Sequence, residues 1–94
     1  DIEKISKRIL KLTTKFTDKK IYQNLCVNKA ILIWSAKEAI YKWYEKGGLN
    51  FRKDIIIEDF NINEKGLLIA NFRDQKLTLT YKKINNHYLV YICN

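Results

Sequence analysis

Gly47-Gly48 divides the chain into two halves with different hydrophobic periods. Before it, apolar residues recur every three or four positions; after it they recur every two. A single switch from helical to strand period predicts an α+β fold, with helices packed on one face of an antiparallel sheet. The strongest helical stretch is Trp34 to Tyr44. Ile33, Ala36, Ile40 and Trp43 fall on one face of it. Asn28 is the expected N-cap and Tyr44 or Glu45 the expected end, with the two glycines supplying the left-handed stop. A weaker helix is expected over Ile5–Thr13. Thr17-Asp18 should cap a short one reaching Leu25. Strands are expected at Ile55–Ile62, Leu67–Phe72, Lys76–Ile84 and Tyr88–Cys93. Their turns would be Glu64-Lys65-Gly66, Arg73-Asp74-Gln75 and Asn85-Asn86-His87.

Asp1-Ile2-Glu3 has the polar–apolar–polar pattern of a strand too short to stand alone. Pairing with the last strand would carry it into the sheet and near the main helix. Side chains alternate along a strand, so Asp1 and Glu3 share a side. Two adjacent carboxylates repel unless a cation lies between them, and hard oxygen donors suit Mg²⁺. On the main helix Glu38 and Lys42 are four apart. Their spacing supports an ordinary surface salt bridge of about 0.2–0.5 kcal/mol. It also supports a carboxylate and an ammonium presented to a metal and a phosphate.

Ninety-four residues, 47% hydrophobic and 13% aromatic, suffice for one small domain with a core. No apolar run approaches the roughly 18–20 residues of a membrane span, and no secretory signal is apparent. Cys26 and Cys93 lack CxxC spacing, and with His87 as the lone histidine there is no zinc pattern. Two buried, reduced thiols in a cytoplasmic protein are expected. The net charge of +8 points to an anionic partner. Lysines outnumber arginines 15 to 3 and are spread along the chain, whereas base-reading surfaces lean on arginine. An alternative is a small basic nucleic-acid-binding α+β domain that stacks bases on Tyr81, Tyr88 and Tyr91. The chain has no Arg/Lys-Gly-Phe-type signature to support it, so nucleic acid is not the expected partner.

Four motifs occur in order: Asp1-x-Glu3, Lys15-Phe16-Thr17, Trp34-x-x-Lys37-Glu38-Ala39-x-x-Lys42 and Lys46-Gly47-Gly48-Leu49. In this order they resemble the 4′-phosphopantetheinyl transferases. Asp1-Ile2-Glu3 is similar to the end of that family's Gly-x-Asp-x-Glu motif. Trp34 to Lys42 matches its Trp/Phe-x-x-Lys-Glu-Ala/Ser-x-x-Lys motif without a gap. One departure is Lys20, where the family commonly has a glutamate.

The resemblance implies transfer of the phosphopantetheine arm of coenzyme A onto a serine of an acyl or peptidyl carrier protein. The serine attacks the β-phosphate, and 3′,5′-ADP leaves. Mg²⁺ is the implied cofactor, with Asp1, Glu3 and Glu38 as ligands. Glu38 is also the implied acceptor of the serine proton. Lys42, Lys37 and Lys46 are implied phosphate or pantetheine contacts, and Lys7, Arg8 and Lys11 would steer an acidic carrier. Trp34 is expected to pack beneath the site. The resemblance further implies that residues 1–94 form a single α+β domain, the second half of a longer two-lobed enzyme. That enzyme's missing first lobe would grip the nucleotide. The exposed half-interface is expected to favour self-association, and small trimeric holo-acyl-carrier-protein synthases are the other branch.

Overall fold

The computed structural model describes residues 1–92. The order of elements is β1 (Ile2–Lys4), α1 (Ile9–Phe16), a single 3-10 turn (Lys19–Ile21), α2 (Val27–Tyr44), β2 (Ile55–Ile57), β3 (Lys65–Phe72), β4 (Gln75–Ile84) and β5 (His87–Ile92). The strands form one antiparallel sheet in the order β1-β5-β4-β3-β2. The α+β expectation holds.

The strand residues buried in the core follow the expected alternation. Leu68, Ala70 and Phe72 of β3, Leu77, Leu79 and Tyr81 of β4, and Tyr88 and Val90 of β5 are buried, and their neighbours are more exposed. Helix α2 is the centre of the molecule. The sheet covers one side of it and α1 another, so Ala30 to Ile33, Ala36, Ala39 and Ile40 are all buried. The face expected from Ile33, Ala36 and Ile40 is therefore real but too narrow. Trp43, assigned to the same face, is 43% exposed and meets the buried Phe72 edge-on at 6.3 Å.

Several boundaries differ from expectation, each for a local reason. Helix α1 begins later, because Ile5 donates to the Asn86 carbonyl and stays with the sheet. The helix expected up to Leu25 is reduced to the 3-10 turn, with Asp18 accepting from the Lys20 amide at 3.0 Å. Cys26, not Asn28, is the N-cap of α2: its backbone is extended and its carbonyl accepts from Ala30. The helix ends at Glu45, which takes the left-handed conformation itself at φ 61°. For a non-glycine residue that costs roughly 1–2 kcal/mol. The two glycines, also at positive φ, only continue the reversal.

Strand β2 stops at Ile57 rather than Ile62. Asp59 is drawn off the sheet by an ion pair with Lys29 and a 3.3 Å bond from the Gln23 amide. Lys65 and Gly66 belong to β3, paired with Lys82 and Tyr81, not to a turn. Glycine at 66 leaves room for the Tyr81 side chain: a Cβ there would lie 3.0 Å from its hydroxyl oxygen, and the ring would have to give way. Cys26 is exposed rather than buried and is a free thiol among the described residues; Cys93 lies outside them.

Candidate active site

The short first strand determines where the first carboxylate goes. Ile2, Glu3 and Lys4 pair with Leu89, Tyr88 and His87. The ladder continues at Asp1, whose amine and carbonyl exchange hydrogen bonds of 2.6 and 2.7 Å with Val90. Asp1 therefore lies opposite a core residue, and its side chain meets α2.

Two helix residues receive it. Ser35 Oγ donates to Asp1 Oδ2 at 2.8 Å, and Lys42 Nζ donates to Asp1 Oδ1 at 2.8 Å. Ser35 and Lys42 are two helical turns apart, so they lie on one stripe, and Glu38 falls between them on the same stripe. The Asp1 side chain is 3% exposed and that of Lys42 63%. The i,i+4 pair between Glu38 and Lys42 does not form, because Lys42 is taken by Asp1. Glu38 is half-buried, with no ion pair among the described residues. Glu3 is also half-buried, two residues from Asp1 on the same side of β1.

The expected gathering of Asp1, Glu3 and Glu38 is not seen. Among the described residues no three acids, histidines or cysteines are close enough together to hold a metal. Asp1 instead meets a hydroxyl and an ammonium. The donor chemistry still suits a hard cation: the buried Asp1 carboxylate already holds a positive charge at 2.8 Å, and Glu3, on the same side of β1, and Glu38, on the stripe of Ser35 and Lys42, offer the hard oxygens that Mg²⁺ takes.

Beside Glu3 a cleft of about 560 Å³ opens between β1, α1 and α2, with Arg8, Leu12, Phe16, Trp34 and Phe51 among its walls. Trp34 is held between Phe16 and Phe51, at ring separations of 5.3 and 5.5 Å. It is half-buried, packing against the core while also facing the cleft.

An edge strand thus brings a carboxylate onto the helix that carries Trp34-x-x-Lys37-Glu38, and the family model described as 4′-phosphopantetheinyl transferase superfamily matches residues 1–93. The chain belongs to that superfamily. No curated protein and no solved structure matches it. Membership makes this a transferase fold, from a family that uses coenzyme A and carrier proteins, generally with Mg²⁺. No helix among the described residues is long and apolar enough to cross a membrane.

Within this transferase fold Lys37 needs correction. It is fully buried, and its ammonium donates at 2.6 Å to the carbonyls of both Phe16 and Phe51. Those bonds use it as a tie between α1, α2 and the loop after the glycines, not as a phosphate contact. Burial, with a smaller push from Arg52, lowers its pKa to about 8. The unfolded chain then binds more protons than the folded one between about pH 8 and the ordinary lysine value near 10.4. Stability should rise with pH across that window, by up to about 1.4 kcal/mol per unit. The neutral amine retains N–H donors for both carbonyls, so the tie survives deprotonation. Urea unfolding at pH 8 and pH 9.5 should show this rise in the parent and its loss in Lys37→Met. Equal pH slopes in both would remove the buried charge from the account.

Lys46 is exposed beyond the end of α2, with its ammonium over the Tyr44 ring at 5.6 Å. Lys7, Arg8 and Lys11 are exposed. Tyr81 and Tyr88 are 2% and 1% exposed. They belong to the core, so the base-stacking surface expected of a nucleic-acid binder does not exist; of the three tyrosines only Tyr91 is accessible. Ser35 was missed by sequence reasoning. Its signal was available: it stands three residues before Glu38 and seven before Lys42, on their stripe.

Proposed function

We propose that this chain transfers the 4′-phosphopantetheine arm of coenzyme A to a serine of an acyl or peptidyl carrier protein. The reaction is Mg²⁺-dependent and cytoplasmic, and a second lobe or a second copy completes the site. The observation that carries the reading is the buried Asp1 carboxylate, held between Ser35 and Lys42 on the stripe that also bears Glu38.

In this reading Asp1, Glu3 and Glu38 are the metal ligands. When bound, Mg²⁺ offsets the charge of the pyrophosphate and of the departing phosphate. Glu38 accepts the proton of the carrier serine as its oxygen bonds to the β-phosphorus. The bond from that phosphorus to the oxygen of 3′,5′-ADP breaks, and the electron pair leaves with the nucleotide. Lys42, the exposed member of its ion pair, turns to a phosphate oxygen and offsets charge there. Lys46, just before the two glycines, touches phosphate or pantetheine. Lys7, Arg8 and Lys11 attract an acidic carrier.

The test is transfer of a labelled arm from coenzyme A to carrier protein. The 94-residue chain alone should be silent, because rate requires coenzyme A to be held in line with the serine. Activity should appear with a complementing lobe, require Mg²⁺ and stop with EDTA. Activity of the monomeric chain would sink the two-lobed part of the proposal. Activity of a trimer would move it to the smaller branch of the family. Absence of transfer by every form would overturn the function.

A further inference from the structure

Helix α2 contains a buried hydroxyl that its own helix does not use. Ser35 is fully buried in mid-helix. A serine there ordinarily donates to the carbonyl one turn back. Thr13 of α1 does so, donating to the Ile9 carbonyl at 3.0 Å. Among the described residues Ser35 makes no such bond. Its hydroxyl spans 34 positions of sequence to reach Asp1 Oδ2. Alanine would suit the helix better at this position, and a buried hydroxyl is costly unless it is bonded. The one return the structure shows for that cost is the orientation of Asp1.

The two oxygens of Asp1 have different partners. Oδ2 faces inward to the fully buried Ser35. Oδ1 faces Lys42, which is largely exposed. A carboxylate free to rotate would exchange these oxygens; one held by a hydroxyl does not. We propose that Ser35 is a positioning residue for this transferase. It fixes the Asp1 carboxylate so that Oδ1 is always the oxygen presented to a cation. That cation is the Lys42 ammonium here and a divalent ion in the loaded enzyme. The inference rests on Asp1 being a metal ligand, as the preceding reading has it. Outer partners of this kind typically change metal affinity by 10–100-fold when removed.

The experiment is a Mn²⁺ titration of the intact protein with coenzyme A present and carrier protein absent, read by the electron paramagnetic resonance of free Mn²⁺. Ser35→Ala should weaken Mn²⁺ binding by about tenfold or more. Ser35→Cys, close in shape but a poor donor, should fall between alanine and the parent. Should the alanine variant fail to fold, the cysteine variant carries the test alone. Asp1→Asn should weaken binding, and adding Ser35→Ala to it should weaken binding no further, because the hydroxyl acts only through the carboxylate.

A merely structural serine gives another pattern: a lower Tm for Ser35→Ala with Mn²⁺ affinity unchanged, which would overturn the inference. So would additive losses in the double variant, or parental affinity in a folded Ser35→Cys. If Asp1→Asn itself binds Mn²⁺ like the parent, the failure lies with Asp1 as a ligand and takes the preceding reading with it.

Discussion

Replacing Glu38 by glutamine should reduce transfer to carrier protein by about a thousandfold or more while leaving the fold unchanged. General bases of this kind are worth typically 10²–10⁴ in rate, and the same substitution also removes a proposed metal ligand. The expectation of an intact fold rests on geometry. Glu38 has no ion pair among the described residues, and Lys42, its helical neighbour, is committed to Asp1. Among the described residues no hydrogen bond or ion pair that holds α2 in place passes through this carboxylate. The glutamine has the same shape and lies at a half-buried position. Such changes usually stay within about 0.5 kcal/mol, which for a chain of this size is a shift of at most about 4 °C in Tm. Steady-state transfer in the intact enzyme, set beside thermal unfolding, checks both halves. Turnover within tenfold of the parent would remove Glu38 from the chemistry. A large loss of Tm would show that it supports the fold instead.

What was legible in the sequence was periodic. The Ile33-Ala36-Ile40 spacing gave the inward face of α2, and the alternation from Leu67 onward gave the strands. The period of two put Asp1 and Glu3 on one side, and the unpaired last strand gave them a partner. What was not legible depended on who meets whom across the fold. The competition of Asp1 and Glu38 for Lys42 is invisible in a helix read alone, since the i,i+4 spacing favours Glu38. Lys37 reads, by resemblance, as a phosphate contact until the carbonyls of Phe16 and Phe51 are seen to enclose it. Tyr81 and Tyr88 served the alternative reading as stacking platforms. They are core because α2 covers the face of the sheet on which they lie. Strand β2 was overextended because the pull of Lys29 on Asp59 comes from another element. For the side chains local pattern placed the element and a tertiary partner decided the role; for β2 the tertiary partner also decided where the element stops.

Removing the Lys42 ammonium should move three quantities, and not all in the same direction. In Lys42→Met the Asp1 carboxylate, 3% exposed in the parent, keeps Ser35 as a partner and loses its countercharge. Leaving a buried polar group short of a partner costs about 1–3 kcal/mol, so the variant should lose at least about 5 °C in Tm. An exposed surface pair would cost much less; the burial of Asp1 makes the difference. Metal affinity should move the other way. The ammonium stands on the oxygen that a divalent ion would use, so the ion must displace it in the parent and not in the variant. Mn²⁺ should bind Lys42→Met more tightly than the parent, and millimolar Mg²⁺ should restore more Tm to the variant than it adds to the parent. Transfer should nevertheless fall by about 10²-fold, the usual effect of losing one charge-stabilising donor. Lys42→Arg, which keeps the charge, should retain Tm and the weaker metal binding. Tighter metal binding with slower transfer would separate Lys42 from a purely structural tie, whose loss would lower Tm and leave Mn²⁺ affinity unchanged. A variant with parental Tm and parental Mn²⁺ affinity would show that the 2.8 Å contact is an ordinary surface pair, and that Asp1 does not hold its place for a cation.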